Sequence, residues 1–459
     1  MKKNPEKYFK ASGEIIGSAI KSGNLDAVEY TEYLLDLISK QDSTIFLNVT
    51  KERALTEAKN AGKRAKNGET LSALDGVPIA YKDLIDMVGE PTTAASNLLQ
   101  ASPKATKDAY VVQKATQAGM VNLGKLNLTE FAYSGLGLNP HFGTPHNPNS
   151  PQKPRAPGGS SSGSGVSVAA GLTPIAIGTD TGGSIRIPAA FNGIVGYKPS
   201  EGRINKTGVF ALSATFDTVG PLTTSVKDCI LIDEILSTAG GRQICNAKHD
   251  KISLFIPEGV VFEELEQTVA KNFEKVISKL GKIGIKIRYG KCSELSEAIR
   301  LARELGTITA AEAYIEHENL LLSDSRKKID RRVVKRIEMG HAMSAPALIK
   351  LQRARQKLMA SLTERLNGSL IAMPTTPITA PAIELLESDD DLFHSINLRT
   401  LRNTAVGNFL NTPGVAIPNG KDKNGMPTSL LISGVANSDD FLLSAASLLE
   451  KEIKKTYDF

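Results

Sequence analysis

At 459 residues the chain exceeds the ~250–300 residues at which one hydrophobic core stops growing, so one large domain or two closely joined ones is expected. With 41% apolar and 23% charged residues it has the make-up of a soluble globular protein, and a net charge of +6 over this length does not by itself indicate a nucleic-acid partner. No apolar run reaches 18 residues and the basic N-terminus has no continuous apolar segment, so neither a membrane span nor a signal peptide is expected. Cys229, Cys245 and Cys292 stand far apart without CxxC spacing, which fits a reducing cytoplasm rather than a disulfide framework or a zinc site.

From Ser22, SGNLDAVEYTEYLLDLISKQD reads as a helix capped by Asn24 or Asp26, with Val28, Thr31, Leu35 and Ile38 on one face. A second helix over 51–66, rich in Ala, Glu, Lys and Arg, is expected to be exposed. Val77-Pro78-Ile79-Ala80-Tyr81, bounded by Gly76, has the form of a short buried strand, and Lys82 closes it. A lysine in that place is ordinarily a snorkelling surface group; this stretch alone leaves its role open. A helix over 108–119 and a strand over 120–124 follow, so the order is that of an α/β sheet.

A loop rich in Asn, Pro, Gly and His leads into the Gly/Ser stretch 158–196, beyond which 208–222 reads as loop and short strand. Residues 252–256 and 283–287 read as strands around a helix bearing Leu265, Val269, Phe273, Val276, Ile277 and Leu280 on one face. Residues 294–366 are helical in pattern. Their basic run from Arg326 to Arg336 is expected to be a solvated face, because no aromatic residues interleave it for base stacking. Short strands at 370–374, 414–418 and 429–433 and a last helix at 439–454 complete the order.

Residues 158–196 hold ten glycines and six serines, with only Asp180 and Arg186 charged. Each glycine costs about 0.5–1 kcal/mol in a regular element, so this many implies close backbone approach to a ligand or main-chain N–H groups turned into a site. A flexible linker would not carry the apolar runs Val166–Ala170 and Pro174–Ile177. His141 and His146 precede the stretch but no G-x-S-x-G elbow accompanies them. No lysine follows the glycines as in a P-loop, and G-x-G-x-x-G is absent.

A serine nucleophile with a lysine base remains. A lysine of pKa ~10.4 is neutral about once in a few thousand molecules at pH 7, so it serves as a base only if burial or a nearby positive charge lowers that value. A lysine ending a buried strand below a Ser/Gly floor meets that need. Thr181-Gly182-Gly183-Ser184 can aim successive N–H groups at one oxyanion, each such donor being worth ~3–4 kcal/mol.

GGSSSGSGVSVAAG…GTDTGGSIRIPAAFNGIVGYKPSEGR resembles the signature of the amidase signature family. LDGVPIAYKDLID is similar to that family's lysine-bearing segment and GKLNLTEFAYSGLGLNPHFGTPHNP to its connection to the signature. FDTVGPLTTSVKD, MPTTPITAPAI and NFLNTPGVAIP match its later blocks, so the likeness spans most of the chain from about Asn24. It implies an α/β fold with a large mixed twisted sheet covered by helices on both faces. A single domain over 1–459 would have its sheet core in 24–230 and 370–459, with 294–366 capping the cleft and selecting substrates. It further implies Ser184 as nucleophile, Ser160 (behind a cis peptide) as relay and Lys82 as general base. Thr181, Gly182, Gly183 and Ser184 would supply the oxyanion N–H groups, with Ser161, Asp180 and Arg186 in support.

The expected activity is hydrolysis of a carboxylic-acid amide through an acyl-serine, with no cofactor or metal and a small-molecule amide as partner. A homodimer is allowed; membrane and nucleic acid are not expected. One alternative is the glutaminase-type A subunit of glutamyl-tRNA amidotransferase. That protein typically carries an Asp where this chain begins Leu401-Arg402-Asn403-Thr404, and a Tyr-Asp-Gly-Val-Arg motif where Tyr314-Ile315-Glu316-His317 stands nearby. A second alternative is a catalytically inactive amide-binding relative, against which the intact Lys82, Ser160 and Ser184 speak. Departures from the family pattern are Ser162 for a glycine, Ala95, and Ser429-Leu430-Leu431.

Overall fold

The apolar runs pair into one eleven-stranded mixed sheet in the computed structural model, which describes residues 4–238 and 247–455. The strands are β1 (Phe46–Val49), β2 (Pro78–Lys82), β3 (Val121–Leu126), β4 (Ile175–Asp180), β5 (Val195–Lys198) and β6 (Thr218–Thr223). They continue with β7 (Ser253–Glu258), β8 (Lys286–Lys291), β9 (Leu370–Pro374), β10 (Gly414–Lys421) and β11 (Pro427–Ser433). Their order is β1-β3-β2-β4-β6-β5-β10-β11-β9-β7-β8. β3, β2 and β4 run parallel, β9, β7 and β8 run parallel, and the pairs between and at the β1 edge are antiparallel. Every residue of β2, β3, β4, β5, β6, β9 and β11 is buried, so helices cover both faces of the sheet. This is the expected α/β architecture.

Asp26, not Asn24, caps the helix Ala27–Ser39, its carboxylate accepting the Val28 and Glu29 N–H groups at 2.9 and 3.2 Å. The helix Lys51–Asn67 is not wholly exposed as expected: Ala54, Ala58 and Ala61 form a stripe at helical spacing that packs into the core, because alanine lets a helix approach closely. The strand expected at 283–287 begins only at Lys286, since Gly284 turns with φ +92° and ends the preceding helix. Residues 293–366 form four α-helices, as the pattern implied. Two members of their basic run turn inward: Arg332 stacks over Phe393 (4.7 Å) and pairs with Asp330, and Arg336 lies 4.6 Å over Tyr133.

No element is expected between β9 and β10 from the sequence pattern. The structure places the twenty-residue helix Asp390–Phe409 there. It buries Asn397, Thr400, Asn403, Thr404 and Asn408 alongside Phe393 and Val406, so its inner face is polar and no hydrophobic period marks it. Cys229 and Cys292 are free and buried; Cys245 lies outside the described residues. Among the described residues no helix is long and apolar enough to cross a membrane.

Candidate active site

β2 delivers Lys82 to the carboxyl end of the parallel pair β2–β4, directly after Tyr81, which is in register with Ile177. The side chain does not snorkel; Lys82 is fully buried. Its Nζ lies 2.7 Å from Ser160 Oγ and 2.7 Å from Thr179 Oγ1. Burial pushes its pKa down from 10.5 to about 7 against the opposing fields of Asp217 and Asp180, so the amine is substantially neutral near pH 7.

Ser160 follows a cis Gly159–Ser160 peptide bond. The Gly159 N–H donates to the Gly135 carbonyl (2.8 Å), and a Cβ on Gly159 would stand 2.6 Å from the Gly137 nitrogen, so only glycine fits this crossing. The Ser160 carbonyl accepts from the Thr129 and Ser162 N–H groups at 3.0 and 2.9 Å. Ser161 sits beside it, its hydroxyl donating to the Thr179 carbonyl (3.3 Å) and its N–H to the Ser184 carbonyl (3.3 Å). Ser184 itself is 4% exposed, and among the described residues its hydroxyl has no protein partner.

Residues 181–184 leave the end of β4 as a loop hung on Asp180. The Asp180 carboxylate accepts from the Gly183 N–H (2.8 Å), from the Ile185 N–H (3.2 Å) and from Arg186 Nε and Nη2 (3.0 and 2.9 Å). Asp180 and Arg186 are completely buried, and the guanidinium holds the aspartate well below the ordinary carboxylate range despite its burial. This corrects one expectation: the Gly183 N–H is committed to Asp180, because a buried carboxylate must be fully hydrogen-bonded, and it is not turned to the cleft. The N–H groups of Thr181, Gly182 and Ser184 have no acceptor among the described residues. Gly183 has φ +133°, and a Cβ there would stand 2.2 Å from Thr404 Oγ1.

The sequence model of the Amidase family matches residues 29–443. The chain belongs to this family, the amidase signature family. It is 30% identical to the 2-amino-5-chloromuconic acid deaminase of Comamonas testosteroni, covering 87% of this chain and 86% of that protein. It is also 30% identical to the A subunit of the glutamyl-tRNA(Gln) amidotransferase of Thermobifida fusca (strain YX), covering 97% of this chain and 96% of that one. A crystal structure of an amidase superposes with a TM-score of 0.85 at 28% identity, covering 96% of this chain and 99% of that one. Family and fold make the chain an amidohydrolase acting on C–N bonds, and amidase signature enzymes act on small amides.

Four further residues of this amidase signature site escaped the sequence reading. Thr179 shares Lys82 with Ser160. Thr404 donates its hydroxyl to the Gly182 carbonyl at 2.7 Å, and Asn408 donates to the Asp180 carboxylate (2.9 Å) while accepting from Arg186 Nη2 (2.7 Å). Asp217 accepts the Thr181 hydroxyl. The last three lie 36 to 228 residues from their partners, beyond any local pattern; the signal available was the unexplained polarity of Asn403-Thr404 and Asn408. Among the described residues no three His, Cys, Asp or Glu side chains converge as metal ligands would.

Proposed function

We propose that the chain hydrolyses a carboxylic-acid amide to acid and ammonia or amine through an acyl-serine intermediate. The observation that carries the reading is the buried Lys82 amine, its pKa lowered to about 7, 2.7 Å from Ser160 Oγ, on the floor of a loop whose N–H groups at 181, 182 and 184 are unspent. Neutral Lys82 takes the Ser160 proton as Ser160 takes that of Ser184, and the Ser184 oxygen adds to the amide carbonyl. The resulting oxyanion is met by the N–H groups of Thr181, Gly182 and Ser184. The relay runs backwards to protonate the departing nitrogen as the C–N bond breaks, and water then attacks the acyl-serine by the same route. Ser161, Asp180 and Arg186 hold the loop. The helices of 293–366 screen the cleft as part of one domain.

The runner-up, a glutaminase of the amidotransferase type, is favoured by the likeness to such proteins over nearly the whole chain. Against it stands Leu401, an apolar side chain where those proteins typically carry an acid; its Cδ2 lies 3.6 Å from the Cβ position of Gly182. A fluorophosphonate probe and peptide mass mapping test the nucleophile: label on Ser184, lost in Ser184→Ala, is expected, and label on another serine overturns the assignment. Hydroxamate formation from simple amides by the isolated chain supports the stand-alone enzyme. Glutaminase activity appearing only with partner proteins supports the runner-up.

A further inference from the structure

Residues 212–217 form a strap between the helical region and the oxyanion loop. At its outer end Glu312, on the helix Ile308–Leu321, accepts the Ser213 and Thr215 hydroxyls and the Thr215 N–H (3.1 Å). At its inner end Asp217, 6% exposed, accepts the Leu212 and Ser213 N–H groups (2.9 and 3.1 Å) and reaches across to the Thr181 hydroxyl. Glu312 from the helical region and Asp217 at the segment's own end thus clamp these six residues, and Asp217 touches a residue proposed to bind the oxyanion.

Thr179 lies near the end of β4, and Thr181 is the first residue of the loop that follows it. Thr179 Oγ1 meets Lys82 Nζ (2.7 Å) and Thr181 Oγ1 meets Asp217 (2.5 Å), so two threonines separated by one residue link the lysine to the aspartate. Of the other charges near Lys82, Asp180 is matched by Arg186, and the adjacent Asp83 is turned to Lys125 (2.6 Å). Among the described residues Asp217 has no cation within ion-pair distance, Lys206 acting on it only from farther off, and its field on Lys82 exceeds that of Asp180.

We infer that Asp217 is a positioning residue of the acyl-transfer machinery: its carboxylate fixes the oxyanion loop through Thr181 and sets the pH at which Lys82 becomes a free base, and Glu312 ties that control to the cap helices. The inference rests on the proposed roles of Ser184 and Lys82. The fluorophosphonate labelling rate of Ser184 against pH reads it without knowledge of the substrate. Removing the negative charge makes the Lys82 ammonium easier to deprotonate, so Asp217→Asn should move the acid limb of the rate to lower pH by about one unit, with a reduced plateau. Thr181→Val should lower the plateau and leave the limb in place. Glu312→Ala should do the same, with Glu312→Gln, which keeps an acceptor for the Thr215 N–H, in between. A purely structural Asp217 would lower the melting temperature without moving the limb, and a folded Asp217→Asn with the wild-type limb overturns the inference. Should that variant not fold, a Thr181→Val labelling rate equal to wild type overturns it instead. Label appearing on a serine other than 184 in the wild type would refute the underlying reading and is told apart by mass mapping.

Discussion

The burial that fits Lys82 for its proposed role as base makes it destabilising to the fold, and the two effects can be separated by replacing it with methionine. In the unfolded chain the ammonium keeps its proton up to about pH 10.5, whereas in the buried site it loses it above about pH 7. Between those values the unfolded state binds one more proton than the native state, so native stability rises with pH across the window. Below about pH 7 both states bind the proton and the penalty of burying the charge is felt in full. At ~1.36 kcal/mol per pH unit, the difference is worth roughly 4 kcal/mol at pH 7. Methionine removes it, but leaves the Ser160 and Thr179 hydroxyls each short of a hydrogen bond worth about 1 kcal/mol. Lys82→Met should therefore be inactive and about 2 kcal/mol more stable than wild type at pH 7. The gain should shrink from pH 7 upward and become a loss of similar size above pH 10.5. Guanidinium unfolding midpoints of both proteins at pH 6.5, 8 and 10 measure it. A variant less stable than wild type at pH 6.5, with a difference that does not change with pH, would mean that the lysine is charged and partnered, and the base assignment would fail.

Gly183→Ala forces a Cβ to 2.2 Å from Thr404 Oγ1 at φ +133°; displacing the 181–184 loop by an ångström should cut Ser184 labelling about 100-fold, and Thr404→Ala added to it should restore only part, since the φ strain remains. Asp180→Asn strips the fully buried Arg186 of its carboxylate, which should destabilise the fold by about 3–5 kcal/mol in denaturant titrations. His317, 1% exposed and packed 4.4 Å from the Phe131 ring, has its pKa pushed down to about 4 by burial. The unfolded chain therefore binds its proton first as pH falls from 6.5 to 4, and the native state loses up to roughly 3 kcal/mol over that window. His317→Phe should flatten this acid loss, seen as a smaller drop in melting temperature between pH 7 and 4.5 than in wild type.

Much of the sheet was legible because most of its strands are short apolar runs that need no distant information: the strand 370–374 has the bounds expected from pattern alone, as does the helix 439–454, whereas β1 and β5 gave no such run. Lys82 and the serines were legible for a different reason. A glycine-dense segment violates ordinary composition, whereas a lysine at the end of an apolar strand does not, and it is the family likeness that ties the one to the other. The helix Asp390–Phe409 broke no such rule and showed no apolar period. The wall it provides for the loop after β4 must supply donors and acceptors rather than methyl groups, because that loop presents the Gly182 carbonyl and the Asp180 carboxylate to it. Thr404 and Asn408, one turn apart on that helix, meet these two groups from 222 and 228 residues away. A segment selected to hydrogen-bond a distant loop has the composition of a surface helix and the burial of a core one. The same inversion hid Asp217, a loop carboxylate whose partner is set by the fold and not by its neighbours. Of the residues proposed to act on the substrate, the serines were visible in a segment that broke local rules and Lys82 through the family likeness. Of the residues that hold them in place, Ser161, Asp180 and Arg186 came with the family likeness, whereas Thr179, Asp217, Thr404 and Asn408 obeyed local rules and became visible only with the chain folded.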